Sequence, residues 1–381
     1  MSQTKGTVGI AGAGILGRLI ACYCLEDGWN VTIFDEGAES PCPMAGITAA
    51  GAAAQKCGSG GCPSPSYVAA GMLAPYCEMR YDEPIVPRLG RESLDMWSDI
   101  IKKVGGDVFS QRAGSLVVVH QQDKNEFLRL KHMVETFTKE PVMEHVKGAA
   151  LRELEPEIDP RITEGLYFPL EGQVDSRGMM AALGSHLRKS GAELNFNTKV
   201  TSIEPNKITT LFGSFDFDWA LDCRGMGAKA DLKGLRGVRG EIIIVHAPDV
   251  NLNRPVRLMH PRYPLYIVPR PNHDYVVGAT SIESEDLSEI SVRGALELLS
   301  ALYSLHTGFS EARIIETATQ LRPALMDNSP KIFHGKGLCR INGLYRHGYL
   351  ISPKIARLVA SYLSEGKAES GYEALFETAG K

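Results

Sequence analysis

The chain of 381 residues is long enough for two domains or one interleaved pair, and 44% hydrophobic with 23% charged residues is the balance of an ordinary globular protein, not of a disordered, collagen-like or coiled-coil one. A formal net charge of −4 without a basic run argues against a nucleic-acid surface, and no uninterrupted apolar stretch reaches the length of a membrane span. The first residues pass straight into an apolar strand and then glycines, with no cleavage pattern of a signal peptide, so a cytoplasmic protein is expected.

Residues 7–10 read as a strand, followed by Gly12-Ala13-Gly14-Ile15-Leu16-Gly17 and an apolar-rich helix that Asp27-Gly28 closes. A second strand, 31–34, ends in Asp35 and Glu36. From 41 to 65 the composition changes to Ala, Gly, Ser, Pro and Cys without periodicity, which reads as a long loop of the kind that usually has a function. It holds Cys57 and Cys62, two thiols with no second pair at zinc spacing; Cys22, Cys24, Cys223 and Cys339 sit singly in apolar contexts and read as buried reduced thiols.

Helical spacing covers 88–104 and 124–137, with a strand at 115–120 between them. The acidic run after Leu151 reads as an exposed helix start, favoured there by the positive end of the helix dipole. A helix at 179–190 and strands at 193–196, 200–203 and 217–222 resume the alternation of the N-terminus. Short strands at 241–245, 265–268 and 275–277, broken by Pro and Asn-His-Asp turns, indicate an antiparallel sheet. A helix at 291–305 follows, and a strand, a glycine loop and a closing helix occupy 337–363. The fold class is α/β (α+β): a discontinuous Rossmann-type domain (1–96, 148–229 and 313–381) interleaved with an antiparallel-sheet substrate domain (97–147 and 230–312).

The Gly12-x-Gly14-x-x-Gly17 motif follows a strand, opens a helix, and has an acid at the end of the next strand, which is the context a dinucleotide site requires. Gly12 permits the tight turn, Gly14 admits the pyrophosphate to the backbone, and Gly17 allows the helix to approach the strand. Ile15 and Leu16 carry N–H groups of the helix start, while Asp35 and Glu36 stand where ribose hydroxyls are recognised. The motif alone does not separate FAD from NAD.

Four later motifs occur in the order seen in the D-amino-acid oxidase family: Ala69-Ala70-Gly71-Met72-Leu73-Ala74-Pro75; Tyr266-Ile267-Val268-Pro269-Arg270 leading to Val277-Gly278-Ala279-Thr280; Leu321-Arg322-Pro323; and Gly343-Leu344-Tyr345-Arg346-His347-Gly348-Tyr349-Leu350. The chain resembles this family over nearly its whole length, and within it the glycine oxidases of thiamine biosynthesis. The resemblance implies non-covalent FAD, with no cysteine at 323–326 to tether it, and oxidation of glycine, sarcosine or a small D-amino acid to the imine. Hydride would pass to flavin N5, with O2 or another acceptor reoxidising the flavin. It places Ser66 by the pyrophosphate, Ala70, Gly71 and Met72 beside the flavin ring, Val200 at the adenine, and Gly225, Arg346, His347, Gly348 and Leu350 on the cofactor. It also gives Arg322 and Tyr266, with Met72, to the substrate. A guanidinium fork and a phenol suit a carboxylate on physical grounds too. No Ser-His-Asp set, acid pair or metal cluster accompanies these motifs. His260 and Arg262 are candidates for the entrance, and Pro261 departs from the family, which has an aromatic hydroxyl there. Two other readings stay open: a flavoprotein that modifies a residue of a partner protein docked through the 41–65 loop, and a flavin dehydrogenase of 2-hydroxy acids.

Overall fold

A computed structural model describes residues 4–39, 64–79, 85–260 and 265–378. The long loop, Cys57, Cys62, Pro261 and Arg262 lie outside the described residues apart from Ser64 and Pro65 at the loop's end.

Two large sheets carry the fold. The first has seven strands in the order Phe376–Thr378, Lys331–Gly335, Leu338–Asn342, Trp219–Asp222, Thr7–Ala11, Asn30–Phe34, Glu193–Asn195. Its five strands from Leu338–Asn342 to Glu193–Asn195 are mutually parallel, as helical crossovers demand. Helix Ile15–Glu26 packs on helix Gly348–Glu365, which in turn packs on helix Ile85–Val104. The apolar stripes of these helices and of Ser176–Lys189 merge into one core around Leu19, Ile20, Trp97, Leu183, Ile355 and Val359. Each such fully buried aliphatic chain contributes about 1.5–3 kcal/mol. Cys22, Cys24 and Cys339 are buried in the same core as free thiols. Burial pushes the Cys22 and Cys339 thiols up to about 12.

A three-stranded meander, Val200–Glu204, Lys207–Thr210 and Gly213–Asp216, covers the first sheet near Ala11 and Phe34. The second large sheet has eight strands, in the order Arg313–Ala324, Arg236–His246, Asp274–Gly278, Leu265–Pro269, Val256–Met259, Ser115–Val119, Glu164–Phe168, Glu144–Lys147. Period-two alternation divides its side chains. Ile243, Val245, Ile267, Tyr275 and Val277 pack with helix Val292–Leu305, whereas Ile242, Ile244, Val268 and Val276 meet Val68 and Ala70. This second face is turned toward the dinucleotide half of the molecule.

Two sequence expectations change, and one motif gains its setting. Leu321-Arg322-Pro323 lies at the end of the 12-residue strand Arg313–Ala324, paired along Arg236–His246. Strands Glu164–Phe168 and Arg313–Ala324, from ranges expected in the cofactor domain, both join the eight-stranded sheet. The acidic run after Leu151 ends a helix, Ala149–Leu154, instead of starting one. Its Glu155 is fully buried, receiving bonds from Arg254 Nε at 3.0 Å and Asn253 N. Burial outweighs these donors and pushes its carboxyl up to about 7.

Candidate active site

The dinucleotide turn is built by close backbone contact. Gly12 holds φ at +101°, and a Cβ there would stand 2.5 Å from the Cys223 carbonyl. A Cβ on Gly17 would collide with the carbonyl of Gly12, so the helix can lie on the strand only without one. Asp35 braces the turn: its Oδ2 accepts from Ala13 N at 2.6 Å and its Oδ1 from Gly37 N at 2.8 Å. Glu36 is exposed and faces Lys199 at 4.0 Å.

Helix Ile15–Glu26 starts at Gly14 with no side-chain capping bond and no acid in its first turn, among the described residues. Such a helix start, with its positive dipole end, is suited to an anion. Ser66 marks the place, its hydroxyl accepting from Ile15 N at 3.0 Å. Tyr349 fixes Ser66 by donating to its carbonyl at 2.9 Å.

On the facing sheet, Tyr266 and Gly278 are register partners, Gly278 pairs with Ile242, and Ile242 with Ala318. Directly opposed residues share a face, so Tyr266, Ala318 and, by alternation, Gln320 and Arg322 all point toward the dinucleotide half. The Arg322 guanidinium lies across Gly240, where a Cβ would come within 2.5 Å of its Cζ. Its Nη1 donates to the Thr280 carbonyl at 3.0 Å. Nη1 also reaches the Arg239 carbonyl at 3.5 Å, and the Tyr266 hydroxyl is a further neighbour; no carboxylate among the described residues pairs with it. Burial pushes the Tyr266 phenol up to about 12, so it stays a neutral donor beside a cation.

Between the two halves run Ala70, Gly71 and the short strand Met72–Leu73, which pairs with Gly172–Val174. Val68, Ala70, Met72 and Tyr266 belong to one apolar cluster. Arg346 donates to the Glu78 carbonyl at 2.9 Å and to His347 Nε2 at 3.2 Å. His347 is buried and precedes helix Gly348–Glu365. The Leu350 side chain points elsewhere, into the notch that Gly90 leaves on helix Ile85–Val104. Val200 is buried in the meander cluster with Phe34, and Gly225 offers its carbonyl to Asn342 Nδ2 at 2.9 Å.

The structure thus brings together a helix start suited to an anion, the apolar surface of Ala70 and Met72, and a guanidinium without a carboxylate partner among the described residues, set beside a phenol. The FAD dependent oxidoreductase (DAO) family matches residues 7–362. The chain belongs to the DAO family of FAD-dependent oxidoreductases. A Rhizobium etli protein named as the thiamine biosynthesis oxidoreductase ThiO is 36% identical over 93% of this chain and 95% of its own length. A glycine oxidase of Geobacillus kaustophilus is 27% identical over 93% of this chain and 91% of its length. The crystal structure of glycine oxidase from that organism superposes with a TM-score of 0.80 at 22% identity, covering 100% of this chain and 99% of the other. An iminodiacetate oxidase from Chelativorans sp. BNC1 gives 0.79 at 23% identity over 97% of this chain and 99% of that one. This DAO-family enzyme is therefore glycine-oxidase-like in sequence and fold. Among the described residues no helix is long and apolar enough to cross a membrane, and no cluster of metal-ligating side chains forms.

FAD, the cofactor of the family, fits what is present. The uncapped helix start suits its diphosphate, and Gly14 leaves open space there, with only the Ser66 hydroxyl near the position of a Cβ, at 3.3 Å. Sequence reasoning passed over several residues. Arg18 is buried, binding the Ala13 carbonyl at 2.8 Å and the Met180 carbonyl at 2.6 Å. Tyr349 and Glu78 went unread because their partners lie far along the chain. Arg270 could have been found, since it follows Tyr266 by an even number of residues and so shares its face.

Proposed function

We propose that this enzyme oxidises the carbon–nitrogen bond of a small amino acid, glycine or sarcosine foremost, to the imine, with O2 as electron acceptor. The observation that carries this reading is the Arg322 guanidinium, unpaired by any described carboxylate and set beside the neutral Tyr266 phenol on the wall facing Ala70–Met72. A guanidinium held in this way demands an anion, and an α-carboxylate answers it with two parallel bonds while Tyr266 donates a third.

Bound FAD supplies the hydride acceptor. The protein's own contribution is orientation. Arg322 and Tyr266 fix the carboxylate end, and the apolar surface of Val68, Ala70 and Met72 excludes water from the α-carbon. No side-chain base is needed when the amine enters neutral. Gly12, Gly14, Gly17 and the N–H groups of Ile15 and Leu16 would receive the diphosphate, Asp35 and Glu36 would stand toward the ribose, Val200 toward the adenine, and Gly225, Arg346, His347, Gly348 and the Leu350 backbone toward the rest of the cofactor. FAD would be held without a covalent bond, since no cysteine stands at 323–326 and the described thiols are buried or half-buried. The relative named as a glycine oxidase favours glycine as substrate, and a cytoplasmic setting is part of the proposal.

Oxygen consumption tests the reading. Glycine or sarcosine should consume O2 and release peroxide, with glyoxylate appearing after hydrolysis of the imine. Turnover of glycolate with none of glycine would replace it by 2-hydroxy-acid oxidation.

A further inference from the structure

Besides Arg322 and Arg346, a third guanidinium lies at the junction of the two halves. Arg270 immediately follows strand Leu265–Pro269, so Tyr266, Val268 and Arg270 alternate onto one face. Its side chain is only 10% exposed. One nitrogen, Nη2, donates to the Ala70 carbonyl at 2.6 Å and more distantly to Val174 O at 3.4 Å. The other, Nη1, donates to Gln173 Oε1. Gln173 is itself buried and anchored through Gln111 Oε1 at 2.8 Å. The nearest carboxylate, Asp175, stands 3.8 Å away and also caps helix Ser176–Lys189 by accepting from Gly178 N at 2.8 Å.

Placing a guanidinium here is costly, because desolvation of a cation takes several kcal/mol unless every donor is matched. Burial draws its proton affinity down to about 10, which still leaves it charged at neutral pH. A Met or Leu would fill the same space without that cost. What only Arg supplies is a rigid fork that reaches a backbone carbonyl and a side-chain amide together. The captured carbonyl is that of Ala70, whose neighbour Gly71 accepts from Val174 N at 2.9 Å and whose next residue, Met72, pairs with Gln173. The Ala70–Met72 backbone is thus held both by the strand Gly172–Val174 and by the guanidinium of the residue that follows the Tyr266 strand.

We infer that Arg270 is a positioning residue: it locks the Ala70–Met72 backbone to the strand carrying Tyr266 and so sets the spacing between the cofactor's bed and the substrate-holding wall. The inference rests on the reading of Ala70–Met72 as that bed. One side chain then couples the two surfaces that must meet at the reacting carbon, and a misplacement of about 1 Å there can cost roughly 100-fold in rate.

Arg270→Met and Arg270→Lys, purified with FAD, are measured first without substrate, by flavin absorption, circular dichroism and reduction potential. Both should shift the bound-flavin spectrum and potential, the Met variant more, because Lys keeps the charge but cannot bridge Ala70 and Gln173 at once. Under turnover with glycine, Arg270→Met should lower kcat about 10- to 100-fold and change KM less than about threefold, the reverse of the split expected for Arg322→Ala. Flavin spectra and potentials unchanged in both variants, whatever happens to the melting temperature, would overturn the inference. If the Met variant does not fold, the Lys variant decides on the same readout. Since the spectral arm uses no substrate, an enzyme inert toward glycine would contradict the proposed substrate and leave this test intact.

Discussion

Replacing Arg322 by Ala removes the one cation that the substrate wall presents without a described carboxylate partner. Two charge-assisted hydrogen bonds to a carboxylate contribute about 1.5–3 kcal/mol each, and part of that is offset because the freed carboxylate can recover water in the enlarged space. A net loss of about 3 kcal/mol corresponds to roughly a 100-fold weaker grip on substrate, at about 1.4 kcal/mol per factor of ten. The Ala variant also leaves the Thr280 carbonyl without its 3.0 Å donor, a local cost that falls on stability and not on FAD. A sharper companion is Gly240→Ala, which keeps the charge but sets a Cβ 2.5 Å from the Arg322 Cζ and must displace the guanidinium. The assay is anaerobic reduction of the bound flavin at increasing glycine, giving a dissociation constant separate from the limiting rate. Arg322→Ala should raise that constant about 100-fold and Gly240→Ala about 10-fold, both retaining FAD, while the little reduction that a simple amine without a carboxylate produces is the same in wild type and variants. A change below about threefold for Arg322→Ala, with FAD still bound, refutes the carboxylate assignment.

Tyr266→Phe deletes one neutral donor and should raise KM roughly 10-fold, for about 1.5 kcal/mol. Because burial holds the phenol at about 12, above its ordinary 10, it stays protonated and its contribution is lost only as pH rises through about 12; the KM ratio between variant and wild type should be flat from about pH 7 to 9, and a break there would contradict the neutral-donor role. Gly17→Ala should cost the protein its FAD, since the new methyl collides with the Gly12 carbonyl, and a fully yellow variant would show that the turn is not the cofactor's seat. Glu171 is buried, accepting from Tyr76 N at 2.7 Å, Cys77 N at 2.9 Å and the Ser115 hydroxyl, yet burial still pushes its carboxyl from 4.5 up to about 7. A folded value above the unfolded one means that its contribution is complete below about pH 4.5 and is lost as pH rises through about 7, up to about 3 kcal/mol. Glu171→Gln can accept from the same two N–H groups and donate to Ser115, so its melting temperature relative to wild type should be higher at pH 8 than at pH 5; parallel melting curves would show that Glu171 does not titrate in this window.

What the sequence disclosed is what local patterns encode. The strand, glycine turn, helix and acid of residues 7–35 each follow from short-range rules, and the turn residues around 265–268 marked a strand, while the role of Tyr266 came from resemblance. The strand Arg313–Ala324 was hidden because it lies at the edge of its sheet, half-exposed, where alternation is weak and Pro323 is tolerated. A proline there reads as a connector until the partner strand Arg236–His246 is known. Glu155 read as part of an exposed acidic run, and nothing local marks Glu171 as buried, because only folding brings Arg254, Asn253, Ser115 and the Tyr76 backbone to them. Arg322 was singled out from resemblance and carboxylate chemistry, but its preorganisation was not legible. That depends on Gly240 in the neighbouring strand and on the Thr280 carbonyl, neither of which is near it in sequence.

The account's central claim is that a carboxylate-bearing amine is oxidised against bound FAD on the Arg322–Tyr266 wall. Its most direct test is the visible spectrum of the purified protein mixed anaerobically with glycine, sarcosine, small D-amino acids, simple amines and 2-hydroxy acids in turn. Rapid bleaching of the flavin by glycine or sarcosine, with little or none from simple amines or hydroxy acids, is the predicted result. A flavin that stays oxidised with every amino acid in the panel would contradict the claim.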